Sequence, residues 1–250
     1  MKTWVLNLKH RTDRYRRIVK ALANEGVDYE VFHGLYWKDP DFFKTLSKHG
    51  AKIYKNWELP DTNVKWYNRG VNAGEAAVAM STILMWEEML KSGDDIFLCL
   101  QDDCVWKQGE LKILMDLVEK TDHHDADLIY LAGYHTSGYD YQFKPIDKWY
   151  EEPDYIYNAH AIVYTRYAIE RMLAYPYKNH LMSLDEYLMI QCKTTQRMDV
   201  AEDIGVETPM KAIKVKHSQN IIQQINDMDE VISDIAETPE LGGVKWKYTT

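Results

Sequence analysis

The chain has 250 residues, 46% of them hydrophobic, enough for a packed core in one domain or a domain with a lobe. A formal net charge of -9 and a pI ≈ 5.5 disfavour non-specific binding to nucleic acid or to an anionic membrane. Three cysteines, Cys99, Cys104 and Cys192, form neither a CxxC pair nor a zinc spacing, and no apolar run is long enough to span a bilayer.

Residues 3–8 read as a first strand. A helix follows over about 12–24, with Thr12 or Asp13 as its cap and Ile18, Val19, Leu22 and Ala23 on its apolar face. Glu25-Gly26 ends that helix, and 29–32 reads as a second strand, giving a strand–helix–strand unit suited to parallel pairing. Residues 34–72 are irregular, with a short helix near 42–47, and read as a long insertion over the sheet rim. A helix over 74–91 places Ala77, Met80, Leu84 and Met89 on a buried stripe, and Gly93 stops it. Residues 96–100 are wholly apolar, as in a strand covered on both faces. Further on come a helix (111–118), a strand (128–132), a Tyr/Gly-rich loop (133–153), a strand (159–164), helices (166–174 and 183–191) and a last strand (212–215). Strands and helices alternate, so the expected class is α/β in one domain over 1–237, with a loose tail over 238–250.

The apolar run at 96–100 leads through Gln101 into Asp102-Asp103. In open α/β sheets, ligands bind outside the carboxyl ends of the strands. Two adjacent acids there lose hydration and repel each other, and a divalent cation relieves both penalties; hard carboxylate oxygens suit Mg²⁺ or Mn²⁺. The plain alternative is a solvated turn, as Asp94-Asp95 before the strand illustrates. Ser183-Leu184-Asp185-Glu186 has the spacing of a capping box, yet an acid facing a cleft from a helix start can also accept a proton from a hydroxyl. His217, after the last strand, is a metal-ligand candidate or an ordinary surface residue. Asn7, Arg11, Asp13 and Arg14 form either a phosphate- and base-reading cluster or a solvated helix start with an Asp13–Arg17 pair. GxGxxG, GxxxxGKS, GxSxG and HExxH motifs are all missing from the sequence.

Taken in order, these segments resemble glycosyltransferase family 25, the lipopolysaccharide and collagen galactosyl- and glucosyltransferase group. The resemblance runs through Val5-Leu6-Asn7-Leu8-Lys9-His10-Arg11-Thr12-Asp13-Arg14, Phe32-His33-Gly34 and the stretch from Gly74-Glu75 to Ser81-Thr82. It continues through Leu100-Gln101-Asp102-Asp103-Cys104-Val105, the segment from Ala159 to Ala168, Leu184-Asp185-Glu186-Tyr187-Leu188 and a late Gln223 or Gln224 with Ser233-Asp234-Ile235. Gln101 departs from the family's glutamate, Ala77-Val78 from its Gly-Cys and Thr82 from its histidine.

The resemblance implies a GT-A fold, a Rossmann-like and mostly parallel sheet flanked by helices, that binds a nucleotide-sugar donor, UDP-galactose or UDP-glucose, with Mn²⁺ or Mg²⁺ on its diphosphate. It implies transfer of a hexose with inversion to a hydroxyl-bearing acceptor, a glycan. Asp103 becomes the first metal ligand, Asp102 a ribose or outer-sphere contact and second ligand, and His217 a third. Asp185 is the first choice of base and Glu186 the second. Asn7, Arg11, Arg14, Gly74, Ser81 and Gln101 become donor-pocket residues, while Tyr134, Trp149 and the 34–72 insertion shape the acceptor side. Two other readings are a transferase acting on modified nucleic-acid bases and a non-catalytic nucleotide-sugar-binding module. Cys99 and Cys104 beside a strand read as reduced, buried thiols. With no signal-peptide core between Trp4 and Arg11, a cytoplasmic location is expected.

Overall fold

The computed structural model describes residues 1–62, 64, 66–133, 143–175 and 177–225. The first unit is β1 (Lys2–Leu8), α1 (Thr12–Glu25) and β2 (Tyr29–Gly34), with β1 and β2 parallel. Gly26 ends α1 in the left-handed region (φ 66), where a side chain would be strained. The cap of α1 differs from expectation. Thr12 is already helical and Arg11 is the N-cap residue, with no side-chain cap bond. Asp13 pairs with Arg11 and not with Arg17.

The insertion carries α2 (Phe42–Lys48) and leads to α3 (Ala73–Lys91), then β3 (Ile96–Gln101), β4 (Cys104–Val105), α4 (Glu110–Lys120) and β5 (Leu128–Tyr130). Two strands, β6 (Phe143–Pro145) and β7 (Tyr150–Pro153), precede β8 (Ala161–Thr165). After them come α5 (Arg166–Ala174), α6 (Leu184–Cys192), α7 (Met198–Asp203), β9 (Ala212–Val215) and β10 (Gln223–Gln224). The main sheet has eight strands in the order β2-β1-β3-β8-β5-β9-β7-β6. β1, β2, β3, β5, β9 and β6 point one way; β8 and β7 run against them. The expected α/β architecture, a mostly parallel sheet flanked by helices, is present.

The sheet separates two cores. Val5, Leu98, Leu100, Ile129, Val163 and Ile213 pack against Ile18 and Leu22 of α1 and Leu111, Leu114 and Val118 of α4. The opposite face, with Phe97, Cys99, Tyr130 and Tyr164, packs against α3, α5 and α6. Alternation along β1 buries Thr3, Val5 and Asn7 on the α1 face, so the amide of Asn7 ends the buried row beside α1. α3 is buried around most of its circumference and not along one stripe. Its start carries a capping box that the sequence reading passed over: Asn72 accepts from Glu75 N, and Glu75 accepts from Asn72 N.

Two segments depart from expectation. Residues 143–145 and 150–153, read as loop, form the β6–β7 edge hairpin. Tyr150, fully buried, pairs with Val215, and Glu151 accepts from the buried Lys214 Nζ at 2.8 Å. The partner that makes this a strand lies more than sixty residues away, so local pattern does not show it. The 34–72 insertion is firmly tied down: Lys52 N and Tyr54 N donate to Lys178 O and Leu181 O. Arg197, 1% exposed, donates to the carbonyls of Asn56 and Trp57, pairs with Asp199 at 2.8 Å and lies over the Trp57 and Tyr67 rings. Arg197→Ala leaves the buried Trp57 carbonyl unsatisfied and should lower unfolding stability by about 3 kcal/mol. Urea melts check this; a loss under about 1 kcal/mol contradicts Arg197 as the pin of the insertion.

Candidate functional site

The site lies at the carboxyl end of the central parallel strands. Gln101 ends β3 with its N–H on His160 O (2.8 Å), and the Asp102 N–H reaches Leu6 O (3.1 Å), so both neighbouring strands hold the turn. The next two side chains therefore cannot swing into solvent: Asp102 is 6% and Asp103 9% exposed. This outcome favours a site over a solvated turn. The two acids share Arg14 and differ in their other partners. Asn7 Nδ2 donates to Asp102 Oδ2 (2.7 Å), Arg14 Nη1 to Asp102 Oδ1 (3.3 Å), and Arg17 Nη2 to the Asp102 carbonyl (2.8 Å). Asp103 Oδ2 accepts from Gln224 Nε2 (2.8 Å) and lies 3.6 Å from Arg14 Nη1. Its carbonyl accepts from Ile225 N (2.9 Å), while β10 pairs antiparallel with β4.

Burial pushes both carboxyl pKa values up. For Asp102 the neighbouring Asp103 adds to this and Arg14 and Asn7 oppose it; for Asp103 the opposition comes from Gln224 and Arg14. Asp103 Oδ1 is buried without a hydrogen-bond partner among the described residues. A hard oxygen held dry, in a pair that resists full ionisation, fits a divalent cation. Among the described residues no group of three or more His, Cys, Asp or Glu stands together as a ligand set. That suits an ion held by one or two carboxylates with phosphate and water completing its shell, as Mg²⁺ commonly is.

A cleft of ≈ 110 Å³ opens over the pair, walled by Tyr36 and Trp37 from the insertion, Gly74 and Ser81 from α3, and Gln101. The Ser81 hydroxyl accepts from Leu35 N (2.7 Å) and donates to Ala77 O (2.6 Å), holding the insertion's first residues at the cleft. Gly34 makes this approach possible, because a Cβ there would stand 2.9 Å from Ser81 Oγ. Arg11 lies on the outer side of the cluster with Asp13; its carbonyl accepts from Asn7 Nδ2 (3.3 Å).

The two acids of α6 separate. Asp185 is half-buried, its Oδ1 accepting from Ala159 N (2.7 Å), one residue from the His160 carbonyl that anchors Gln101. Burial raises its pKa, the backbone N–H groups of Ala159 and Asn158 oppose the rise, and Glu75 adds to it. Glu186 points inward to the hydroxyls of Tyr155 and Thr195, and burial pushes it up to about 6. Ser183 makes no side-chain cap bond, so the capping-box reading of these residues does not hold. Glu186 found stronger donors in the interior. His217 lies exposed in a left-handed turn (φ 61) after β9, with β8 and β5 between β9 and β3, about 14 Å at ordinary strand spacing. The structure thus brings Arg14, Gly74, Ser81, Gln101, Asp102 and Asp103 to the lining of one cleft, with Asn7 bonded to Asp102 behind it, while Asp185, Glu186 and His217 are not among the lining residues. Trp149 is 40% exposed beside β7, whereas Tyr134 and 233–235 lie outside the described residues, as does the 238–250 tail. Arg17, read from sequence only as a partner of Asp13, joins the site instead; it follows Arg14 by one helical turn and so shares its face.

An acidic, arginine-bridged cleft at the carboxyl ends of the strands lies where open α/β sheets bind their ligands. The model of glycosyltransferase family 25 (LPS biosynthesis protein) matches residues 1–207, and the chain belongs to that family. Its mostly parallel sheet flanked by helices is the α/β class expected of it. The chain is 28% identical over 132 residues to procollagen galactosyltransferase 1-A of Xenopus laevis, covering 52% of this chain and 20% of that protein. It is 24% identical over 131 residues to procollagen galactosyltransferase 2 of Mus musculus, again covering 20% of the relative. The match therefore spans a fifth of the length of these relatives. Among solved structures, a glycosyltransferase involved in the glycosylation of the major capsid of PBCV-1 is similar at TM-score 0.44 and 10% identity, over 90% of this chain and 94% of that one. No helix among the described residues is long and apolar enough to cross a membrane.

The raised pKa of Asp103 yields a stability prediction. Its folded-state pKa exceeds the unfolded value, so the charged form is penalised in the fold above that pKa and the penalty vanishes below the unfolded one. In metal-free buffer Asp103→Asn should stabilise the fold by about 1 kcal/mol at neutral pH, the gain disappearing as pH falls through the folded-state pKa. Thermal melts across pH test this; a neutral-pH loss of stability contradicts it.

Proposed function

We propose that this protein transfers a hexosyl group from UDP-galactose or UDP-glucose to a hydroxyl group of a glycan acceptor, with inversion at the anomeric carbon. The observation that carries this reading is the buried Asp102–Asp103 pair in the cleft, with Arg14 between the acids and Asp103 Oδ1 without a hydrogen-bond partner among the described residues. Family membership supplies the class of reaction, and the relatives' names supply galactose as the first sugar to test. Bound Mn²⁺ or Mg²⁺ would neutralise the charge that grows on the departing nucleoside diphosphate. Asp103 would hold it, with Asp102 second; His217 is not needed in this scheme.

The chain's own groups do the rest. Asn7 and Arg17 fix Asp102 at its side chain and carbonyl, so the acid pair keeps its direction when a ligand enters. Gly74, Ser81 and Gln101 wall the donor, and the guanidinium fork of Arg14 matches phosphate oxygens. Inversion requires a base on the face opposite the leaving group. Asp185 is assigned that role: it sits on a separate element from the acid pair, with its orientation fixed by Ala159 N. Its carboxylate takes the acceptor hydroxyl's proton as the new C–O bond forms. Glu186, enclosed by Tyr155 and Thr195, is assigned to positioning α6. Trp149, whose carbonyl accepts from Lys216 N (2.8 Å) beside His217, is likewise not needed in this scheme. The three cysteines are free and buried, which suits a reducing compartment such as the cytoplasm.

Release of UDP from UDP-galactose and UDP-glucose, with Mn²⁺ and with EDTA, tests the reading. Turnover should need the metal, and Asp103→Ala should reduce it by about 10³-fold. Undiminished turnover in EDTA contradicts the metal assignment. Asp185→Asn should lower kcat by about 10²- to 10⁴-fold while leaving UDP binding within about twofold. A raised carboxyl pKa predicts that wild-type activity rises with pH through a value above the ordinary aspartate range, and that this limb is lost in the variant. A variant that retains the limb removes Asp185 from the base role.

A further inference from the structure

Arg14 stands between the two acids that the proposed metal would occupy. It lies on the first turn of α1, 9% exposed, with Nη1 3.3 Å from Asp102 Oδ1 and 3.6 Å from Asp103 Oδ2. Both distances exceed the roughly 2.7–2.9 Å of a committed charge-assisted hydrogen bond. The tight side-chain contacts to the acids come from neutral amides, Asn7 at 2.7 Å and Gln224 at 2.8 Å; Arg17 is held on the Asp102 carbonyl and adds its charge to the pair without a side-chain hydrogen bond to either carboxylate. Arg14 therefore supplies charge to the pair without being locked onto either member. A divalent cation entering at Asp103 Oδ1 meets that guanidinium as a like charge at close range, in a site where water screens little.

We infer that Arg14 is a built-in counter-ion that opposes the metal at Asp102–Asp103 until a diphosphate draws its guanidinium away, so that nucleotide and metal enter the cleft together. This rests on the metal reading of the acid pair given above. A diphosphate brings new negative charge to the cleft, and a guanidinium pairs with phosphate in bidentate fashion better than with two carboxylates it cannot fully reach. The displaced charge is then balanced by the metal on the acids. Each ligand thereby strengthens the other by the same factor, as linkage requires. The arrangement offsets part of the acid pair's charge in the resting protein, where two uncompensated buried carboxylates would repel.

The test is Mn²⁺ binding followed by the electron paramagnetic resonance signal of free Mn²⁺, with the full chain at mildly alkaline pH, with and without UDP. Wild type should bind Mn²⁺ weakly alone and more tightly with UDP. Arg14→Gln should bind Mn²⁺ alone about tenfold more tightly than wild type, the size of effect expected for removing one charge within ~4 Å. The same variant should bind UDP in metal-free buffer about tenfold more weakly, since its phosphate partner is gone. Arg14→Lys keeps the charge but loses the fork; it should lose UDP affinity while binding Mn²⁺ alone within about twofold of wild type, and it serves if Arg14→Gln does not fold. If wild type binds Mn²⁺ and Arg14→Gln binds it no more tightly, or if Arg14→Lys keeps full UDP affinity, the counter-ion role is overturned and the metal site stands. If neither wild type nor variant binds Mn²⁺ with or without UDP, the metal reading itself falls.

Discussion

Two adjacent carboxylates held out of water at the end of a buried strand set the terms for the rest of this site. The backbone leaves them little freedom: β3 is hydrogen-bonded on both sides up to Gln101, and Asp102 N is captured by Leu6 O. Their mutual repulsion and lost hydration must be offset by groups brought from elsewhere. Asn7 comes from β1, Arg14 and Arg17 from α1, and Gln224 from the far end of the described chain. Much of the local architecture follows from recruiting these four.

The sheet topology makes that recruitment possible. Parallel β1 and β3 place Asn7 and Asp102 at the same edge, and the return from β1 into α1 sets Arg14 and Arg17 over it. β8 runs the other way, so its start lies at the edge where β3 ends, and Ala159 and His160 meet both Gln101 and Asp185 there. One antiparallel strand thus links the acid cleft to the start of α6. On the other side, Ser81 and Gly34 let the insertion approach α3 closely enough for Tyr36 and Trp37 to wall the cleft. Stability is spent here on function, since an unpartnered Asp103 Oδ1 adds nothing to the fold.

Sequence reasoning reached the parts of this arrangement that depend on local pattern. The apolar run at 96–100, the helix between two strands at the start and the Gly26 stop follow from burial and backbone preference alone, and the structure has all three. What escaped depends on distant partners. β7 contains two acids and a proline and becomes a strand because Lys214 and Val215 of β9 receive it. β4 and β10 are two residues each, joined across more than a hundred positions. Short-range pattern also misled. Ser183-x-x-Glu186 matches a capping box, yet the hydroxyl of Tyr155 competes for Glu186 and wins, while the genuine box at Asn72-x-x-Glu75 was overlooked. For the site, adjacency of Asp102 and Asp103 was visible, but their counter-charges were not. Arg14 was noticed as a phosphate reader, and its contact with both acids is a tertiary fact.

The most direct test is a crystal of the full chain grown with Mn²⁺ and UDP and measured at the manganese absorption edge. The account predicts one anomalous peak within about 2.2 Å of an Asp103 carboxylate oxygen, bridged to the UDP phosphates, with Arg14 turned from the acids to the diphosphate. A nucleotide bound in the cleft with no metal at Asp103, and Arg14 still lying between the two aspartates, would contradict it.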